Sequence, residues 1–451
     1  TAAFLSTLAT FAAGFVVRPF GALFFGRLGD IIGRKYTFMA TLLLMGGSTF
    51  LIGCIPSYET IGFMAPLLVL ILRLLQGLAL GGEYGGAATY VAEHAPVGQK
   101  GYWTSWIQTT ATVGLFISLM VILATKNILT PTDFDSWGWR VPFWVSIVMV
   151  GVSYLIRKNM DESPVFAKAK KEGTTSANPL KESFGNRYNL KFVLLALFGA
   201  TMGQGVVWYT GQFYAMSFMK TVMNIDSSQV DGLLGIALLI GTPFFIFFGW
   251  LSDKVGRKYI MMSGMLLAIL FYRPIYKMMY NTTSVSYKTE IVEKTSQNIE
   301  TTKNNDTITT ISKTYTDGTT YIEKKTDFAD KKESQSNISI NINSSDEWTL
   351  IFLVFIQVLF VTMVYGPIAA FLVEMFPTKI RYTSMSLPYH VGNGIFGGLL
   401  PAISTYFVTH AKHAGKPDFY LDGLWYPIII ASICFVIGMI YIDNKNKTNH
   451  L

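Results

Sequence analysis

Charged residues are scarce in this sequence. Asp, Glu, Lys and Arg make up only 14% of the 451 residues, whereas 51% are hydrophobic. A soluble protein of this size needs a larger polar share to cover its surface. The composition therefore argues against an ordinary soluble protein and indicates that the chain is solvated by a membrane.

Cysteine and histidine are also scarce. Cys54 and Cys434 are the only two cysteines, and each lies within an apolar run, which excludes a disulfide framework. The five histidines show no metal-ligand grouping, and the sequence contains no HExxH, GxSxG or phosphate-binding GxxxxGK[ST] motif. These absences argue against an enzyme and against transport driven by ATP, and they predict no cofactor and no metal.

Long apolar runs, by contrast, recur along the whole chain. A helix that crosses the hydrocarbon core needs roughly 20 mostly apolar residues, and the runs predict eleven such helices. They lie near 5–26, 37–55, 65–92, 103–125, 139–157, 191–219, 228–250, 259–280, 347–372, 383–409 and 424–442. The net charge of +8 comes from short basic clusters between these runs, a pattern that reflects topology in the lipid bilayer and not nucleic-acid binding.

The basic clusters predict the orientation of the chain. If the helix ends alternate across the bilayer, the connectors and tail on one side hold nineteen Lys or Arg, and the short connectors on the other side hold five. Positive charge stays on the cytoplasmic side. The C-terminus is therefore predicted to be cytoplasmic, in what we take to be the inner (plasma) membrane of a bacterium.

One polar stretch, 281–346, interrupts the second part of the chain on the predicted extracytoplasmic side. It is rich in Thr, Asn, Ser and Lys, with eight Lys against ten Asp and Glu. This composition favours a disordered or loosely structured loop. The alternative is a small β element, because Asp317-Gly318 within TYTDGTTY is a typical hairpin turn.

An internal repeat divides the chain into two halves. GRLGDIIGRK at 26–35 is related to GWLSDKVGRK at 249–258, and AEHAPVGQKG from Ala92 aligns with VEMFPTKIRY from Val373. Parallel halves of this kind occur in one transporter architecture. The predicted units are an N-terminal membrane half (1–157), a cytoplasmic loop (158–190), a C-terminal membrane half (191–280 with 347–442), the insertion 281–346 and a cytoplasmic tail (443–451). The second copy has about one helix more ahead of Asp253 than the first has ahead of Asp30, so we expect that the first helix of the N-terminal half is missing.

The repeated GxLxDxxGRK motif resembles the cytoplasmic signature of the major facilitator superfamily. RLLQGLALGGEYGGA at 73–87, VRPFGALFFGRLGD at 17–30 and DESPVF at 161–166 are similar to its metabolite:proton symporter branch, which includes proline/betaine, citrate, ketoglutarate and shikimate carriers. The resemblance implies the major facilitator fold, with two six-helix halves in which a monomer suffices, and proton-driven symport of a small organic solute. Proline or betaine is slightly favoured, with an organic acid as the alternative. Sodium coupling and a non-transporting solute sensor also remain open.

The resemblance further implies a cytoplasmic gate. Asp30 and Asp253 each end a helix beside a basic turn, and opposed charges at such a position can form ion pairs that break when the gate opens. Simple positive-inside topology is the alternative. The predicted gating residues are Asp30, Arg34, Lys35, Glu93, Asp253, Arg257, Lys258, Glu374 and Arg381. The glycines of the motif, at 26, 33, 249 and 256, are expected to allow close helix approach and tight turns.

Ionisable residues inside the membrane are costly and are therefore candidates for the solute and proton pathway. Arg73, Gln76 and Glu83 lie on one predicted helix, and Arg18 interrupts another. Glu83 is predicted either to carry the coupling proton or to be the permanent partner of an arginine such as Arg18. The glycines at 77, 81, 82, 85 and 86 on the same helix are interpreted as a packing seam.

A second set of pathway candidates lies in the C-terminal half. Gln204, Trp208, Tyr209 and Gln212 recur at helical spacing and combine hydrogen-bonding groups with aromatic walls. Such a face suits a carboxylate or, through cation–π contact, a quaternary ammonium; packing is the alternative role for the aromatic rings. Gln108, Gln357, Tyr365 and Asn393 are weaker candidates of the same kind.

Overall fold

A computed structural model describes residues 2–301, 307–328 and 334–443, apart from the side chains of 2–13 and 131. Eleven long helices account for most of these residues, and each predicted span falls on one of them. The helices are α1 (Ala2–Ile31), α2 (Arg34–Cys54), α3 (Met64–His94), α4 (Lys100–Ile128), α5 (Gly138–Lys158), α6 (Arg187–Thr221), α7 (Ser227–Val255), α8 (Arg257–Thr283), α9 (Ser344–Met375), α10 (Thr378–His413) and α11 (Phe419–Tyr441). Among the described residues, the ten helices from α2 to α11 are long and apolar enough to cross a membrane.

The two halves of the chain meet along two helix pairs. Helix α1 of the first half packs along α10 of the second, and α4 of the first packs along α7 of the second. Glycine makes both contacts close: a Cβ on Gly26 would lie 2.9 Å from the Cα of Thr383, and one on Gly249 would lie 2.4 Å from the Cβ of Ser105. The expected role of these glycines in close helix approach is confirmed.

The tight turns of the repeated motif depend on the other two motif glycines. Gly33 and Gly256 have φ values of 138° and 109°, which L side chains rarely adopt. Each turn reverses the chain at the end of a helix, so that the next helix starts at the arginine of the motif. The same positions in both copies thus have the same backbone geometry.

The predicted seam on α3 lies against α1. A Cβ on Gly77 would lie 2.3 Å from the carbonyl oxygen of Gly14, and one on Gly81 would lie 2.2 Å from that of Arg18. The small residues therefore bring the backbones of α1 and α3 into direct contact. This packing holds Arg18 at the crossing of the two helices.

The insertion forms an ordered antiparallel sheet, so the expectation of a disordered loop is wrong. Its four strands, in the order β1 (Ser296–Thr301), β2 (Thr307–Thr314), β3 (Thr320–Asp327) and β4 (Ser334–Asn341), pair with their sequence neighbours. The hairpin between β2 and β3 turns at Asp317-Gly318, where Gly318 has a φ of 90°. Composition misled because the many threonines are polar but β-branched, and such residues favour strands.

The sheet is attached to the C-terminal membrane half. The backbone N–H of Ile340 on β4 donates to the carbonyl of Asn224 (2.8 Å), and the N–H of Asp226 donates to the carbonyl of Ile340 (2.9 Å). The Gln229 side chain on α7 also forms hydrogen bonds with both backbone groups of Ile342, at 3.0 and 2.9 Å. These contacts fix the sheet to the loop between α6 and α7.

An ion cluster adds a second attachment. The ammonium of Lys288 donates to Asp317 in the hairpin turn (2.6 Å) and to Asp346 at the start of α9. Burial opposes the charge on this lysine, but the hydrogen bonds and charges of the two carboxylates outweigh it and raise the pKa of Lys288. Burial likewise opposes the charge on Asp317, but the hydrogen bonds from Lys288 and Thr319, together with the charge of Lys288, outweigh it and lower the pKa of that carboxyl.

We predict that Lys288→Met loosens the sheet from the membrane half. A hydrogen bond to a charged group contributes about 2 kcal/mol, so limited proteolysis within 281–343 should accelerate several-fold. Lys324→Met, at an exposed position on β3, is the matched control and should leave the rate unchanged. Because the pKa of Asp317 is lowered, the attachment should hold at neutral pH and weaken below about pH 4. Equal cleavage rates for the two variants would contradict the assignment.

Candidate solute-translocation site

Aromatic side chains from both halves meet midway along the helices. Tyr84 on α3 stacks on Tyr389 of α10, with ring centroids 3.6 Å apart. Trp208 on α6 stacks on Tyr365 of α9 at 4.6 Å, and the hydroxyls of Tyr365 and Tyr389 form a hydrogen bond. These contacts link α3 of the first half to α6, α9 and α10 of the second in one wall.

Amide side chains complete this wall. Gln204 and Asn393 form two reciprocal hydrogen bonds of 3.0 and 2.9 Å, and Gln108 on α4 donates to the hydroxyl of Tyr84 at 2.9 Å. The predicted candidates Gln204, Gln108 and Asn393 therefore join the aromatic wall. They also fix its geometry, because each amide has a defined partner.

Local irregularity of α6 and α10 shapes the same region. Both helices widen into π-helical turns, at Thr210–Tyr214 and Gly392–Gly397, directly beside Tyr209 and Asn393. Such turns shift the side chains that follow them and are frequent at functional sites. A Cβ on Gly397 would lie 2.5 Å from the Tyr209 ring, so α10 approaches that ring closely.

Arg18 is the cation of this site. Its guanidinium lies over the Phe15 ring at 3.9 Å, and it is close enough to Tyr209, Tyr365 and Tyr389 to interact with them electrostatically. Its buried Nε has no hydrogen-bond partner, and Arg18 forms no ion pair within the described part of the chain. A guanidinium in this state is available to an anionic group of a ligand.

The predicted set on α3 lies elsewhere, between α2, α3 and α5 inside the N-terminal half. Arg73 donates to Gln76 at 3.3 Å, and Gln76 donates to Thr49 of α2 at 2.7 Å. The carboxylate of Glu83 pairs with Arg157 of α5 at 2.8 Å. The suggested pairing of Glu83 with Arg18 is therefore wrong, since the glycine seam turns Arg18 to the opposite side of α3.

Gln212 lies one helical turn beyond Trp208 and two turns beyond Gln204, and its placement differs from theirs. It is buried, and its Nε2 has no partner among the described residues. The neighbouring Gly211 packs against the backbone of Gln357, whose own Oε1 also lacks a partner. This amide pair borders the site along α6 and α9 and does not join the hydrogen-bonded wall.

Each of the two repeated aspartates binds the other half of the protein, at one end of the helices. The carboxylate of Asp30, in the first half, accepts hydrogen bonds from the backbone N–H groups of Tyr382 and Thr383 at the start of α10 (3.3 and 2.9 Å). Asp253, in the second half, accepts from Gly101 and Tyr102 at the start of α4, both at 2.8 Å. Carboxylates are stabilised at helix N-termini, so each half holds a helix of the other.

A buried charge network surrounds Asp30. Arg34, which is fully buried, pairs with Asp30 at 3.2 Å and with Glu93 at 3.5 Å. Glu93 also accepts from Arg381 of the other half at 2.7 Å and from the hydroxyl of Ser163. Glu93 therefore contacts residues of three segments. One of them is Arg381 of the other half, a partner that the sequence did not predict.

The second copy of the motif builds a similar network. Arg257 pairs with Asp253 at 2.6 Å and makes a two-point contact with Glu374, at 2.8 and 3.1 Å. The two lysines of the motif lie outside both networks, because Lys35 donates to the carbonyl of Lys158 and Lys258 donates to those of Met439 and Ile442. They satisfy the free carbonyls at the ends of α5 and α11.

The loop between the halves supplies a residue that sequence reasoning missed. The carboxylate of Glu162 accepts hydrogen bonds from the backbone N–H groups of Arg34, Lys35 and Ser163, at 2.8 to 3.3 Å. It therefore caps α2. The signal was its place in DESPVF, immediately before the helix Pro164–Lys171 that Ser163 caps.

The site and the network lie on the same helices at different depths. Twelve residues of α1 separate Arg18 from Asp30, about 18 Å along the axis. Tyr382, Met385 and Phe25 are buried between the two levels. The structure is therefore closed between the site and the network around Asp30.

Two membrane halves that repeat one motif and meet at a central site define a secondary-transporter fold. Residues 1–286 match the family model of the Major Facilitator Superfamily. The chain belongs to the Major Facilitator Superfamily.

Similar proteins support this class. The chain is 28% identical to the alpha-ketoglutarate permease of Escherichia coli (strain K12) over 99% of its length and 86% of the permease, and 28% identical to the citrate-proton symporter of Klebsiella pneumoniae over 99% and 84%. It is 26% identical to the proline/betaine transporter of Escherichia coli (strain K12) over 98% and 76%. The fold resembles that of the proton:xylose symporter XylE bound to 6-bromo-6-deoxy-D-glucose, with a TM-score of 0.68, 14% identity and coverage of 99% and 89%.

We predict that Glu93→Gln makes the two halves open more often at the end that carries the Asp30 network. The substitution leaves Arg34 and Arg381 near each other without their shared carboxylate, and breaking a buried pair costs about 3–5 kcal/mol. The readout is the rate at which a thiol reagent alkylates a cysteine introduced by Thr383→Cys. This position is buried between α1 and α10. The background protein carries Cys54→Ser. The alkylation rate should rise at least about tenfold. A tenfold change corresponds to about 1.4 kcal/mol, which is part of the cost of breaking the buried pair.

The matched control is Glu172→Gln. Glu172 pairs with Lys168 at 3.8 Å on the surface, where its side chain is 53% exposed. Such a pair contributes little, so the alkylation rate of the control should equal that of the parent. If Glu93→Gln also left the rate unchanged, Glu93 would not hold the gate closed.

Proposed function

We propose that the chain couples the entry of protons to the uptake of a small polar organic solute that carries a carboxylate. The observation that supports this is Arg18, a half-buried guanidinium without a carboxylate partner in the described part of the chain, at the meeting point of both halves. A cation at this depth is costly unless an anion compensates it. The solute supplies that anion during each cycle.

A zwitterionic osmolyte such as proline or betaine is slightly favoured as the solute. The aromatic wall of Trp208, Tyr365 and Tyr389 lies beside Arg18, and the faces of aromatic rings attract quaternary or secondary ammonium groups. No described carboxylate joins the wall to bind the ammonium directly. Arg18 would therefore hold the carboxylate, while the rings hold the ammonium.

A small organic acid is the second candidate. The charge of Arg18 without a nearby acidic partner favours a net anion over a zwitterion, and two of the relatives are named for alpha-ketoglutarate and citrate. The two candidates differ in whether the aromatic wall is needed. Removal of the Trp208 ring should therefore weaken binding of betaine much more than binding of 2-ketoglutarate.

The proposed cycle is alternating access. In the present closed state, the networks around Asp30 and Asp253 hold the two halves together on the cytoplasmic side. Opening exchanges these contacts for water, and solute binding shifts the balance only by its differential affinity for the two states. We also propose that this side faces the cytoplasm of a bacterial cell, because it carries the larger number of Lys and Arg.

Arg73, Gln76 and Glu83 have a different role in this proposal. Their partners, Thr49 and Arg157, lie within the N-terminal half. We propose that they stabilise that half and do not bind the solute. Gln204, Trp208 and Tyr209 remain solute-site residues, with Gln212 at the border.

The direct test is uptake of labelled proline, betaine and 2-ketoglutarate by the full-length protein in proteoliposomes. An acidic exterior supplies the proton gradient, and sodium is varied separately. Accumulation that requires the pH gradient supports proton symport and identifies the solute class. Binding without accumulation under either gradient would make the protein a sensor, and accumulation driven only by sodium would reassign the coupling ion.

We predict that Arg18→Gln lowers solute affinity at least about a hundredfold. The loss of one charge-assisted contact costs about 3 kcal/mol. The comparison is Arg73→Gln, which removes the same charge from α3 at a position that bonds only within the N-terminal half. Isothermal titration of both purified variants measures the effect. Similar affinities for the two variants would place the carboxylate contact elsewhere.

A further inference from the structure

His390 is a titratable group of the central site that sequence reasoning did not single out. It is 5% exposed and lies on α10 next to Tyr389, with the two rings at 5.1 Å. Its Nε2 is buried and has no hydrogen-bond partner among the described residues. A buried imidazole nitrogen without a partner is costly in a purely structural role.

The surroundings of His390 contain one cation and neutral groups. Arg18 of α1 lies close enough to act on the ring electrostatically, and the backbone of Gly81 on α3 lies within hydrogen-bonding reach. Because Gly81 packs on the carbonyl of Arg18, all three residues meet where α1, α3 and α10 cross.

The neighbouring helices add no described acid next to this ring. Tyr84 of α3 reaches the wall through Tyr389, α6 contributes Tyr209 and the uncharged amide Gln204, and α9 contributes Tyr365. The acidic groups that do lie on helices packed against α10 are engaged elsewhere. Asp30, Glu93 and Glu374 belong to the cytoplasmic network, and Glu83 pairs with Arg157.

We propose that His390 is the proton acceptor of the transport cycle, and that a solute carboxylate bound to Arg18 allows it to take up the proton. This inference rests on the proposed function of the same site. While the site holds no solute, a proton on His390 would place two positive charges together in a buried environment. A carboxylate on Arg18 removes that penalty.

In each transport cycle, one proton is taken up and released for each carboxylate that crosses. An N–H bond forms at Nε2 with a proton from extracytoplasmic water, and the imidazolium and guanidinium together hold the carboxylate. After the cytoplasmic gate opens, the carboxylate leaves Arg18, and the repulsion between the two cations returns the proton to cytoplasmic water. Neither the solute nor the proton crosses alone, because the bound carboxylate favours proton uptake by His390 and the bound proton favours binding of the carboxylate.

The first test compares accumulation with exchange for His390→Gln in proteoliposomes. Glutamine keeps a polar side chain but does not titrate. The variant should lose accumulation driven by the pH gradient, and it should still exchange internal for external labelled solute. His94→Gln is the matched control, because His94 is exposed at the end of α3, and it should accumulate solute like the parent protein.

The second test measures solute affinity as a function of pH. If binding takes up one proton, the Kd of the parent protein rises about tenfold per pH unit above the range in which the empty site binds the proton. In His390→Gln the Kd should not change over the same range. Thermal unfolding of the purified variants verifies that both remain folded.

The outcomes separate the two proposals. If the parent protein neither binds nor accumulates any carboxylate solute, the proposed function fails. If the parent accumulates solute with the pH gradient and His390→Gln does so equally, the proposed function stands and the role of His390 fails. A pH-dependent Kd that persists in a folded His390→Gln protein would likewise overturn the inference.

Discussion

The architecture depends on a reciprocal contact between two carboxylates and two helix N-termini. Asp30 of the first half caps α10 of the second, and Asp253 of the second half caps α4 of the first. Free N–H groups at a helix start need acceptors, and a buried carboxylate needs donors. Since each half supplies what the other lacks, the halves cannot separate at this end without hydrating both aspartates and both helix starts.

The distribution of charge follows from the same cost of burial. Acids and bases in the networks around Asp30 and Asp253 compensate each other at short range, as Arg257 does with Asp253 and Glu374. Glu83 and Arg157 do so inside the N-terminal half. Neither Arg18 nor Arg73 has an acidic partner among the described residues; Arg73 donates to the Gln76 amide, whereas Arg18 lies over an aromatic ring. An uncompensated cation at such depth is costly, which is the reason we propose a functional role for Arg18.

Sequence reasoning predicted the parts of the structure that depend on local pattern. Hydropathy located the helices, and the repeated GxLxDxxGRK motif located both ion-pair networks, including the turns at Gly33 and Gly256. The sequence could not identify which side chains pair across the molecule, because packing sets the rotation of each helix about its axis. The partner of Glu83 and the salt bridge between Glu93 and Arg381 depend on that rotation. The insertion was misjudged because its threonines were counted as polar residues and not as β-branched ones.

Helices α1 and α10 connect the central site to the ion-pair network around Asp30. Arg18 and Asp30 lie on α1, and His390 and Tyr382 lie on α10, where eight residues span about 12 Å. Tyr382 fills the space against Gly29 and donates its hydroxyl to the carbonyl of Gly82, so α10 cannot rotate without disturbing both α1 and α3. In the proposed cycle, a carboxylate held by Arg18 and His390 would act on the same two helices that Asp30 clamps. We therefore propose that occupancy of the site is coupled through α1 and α10 to closure of the network around Asp30.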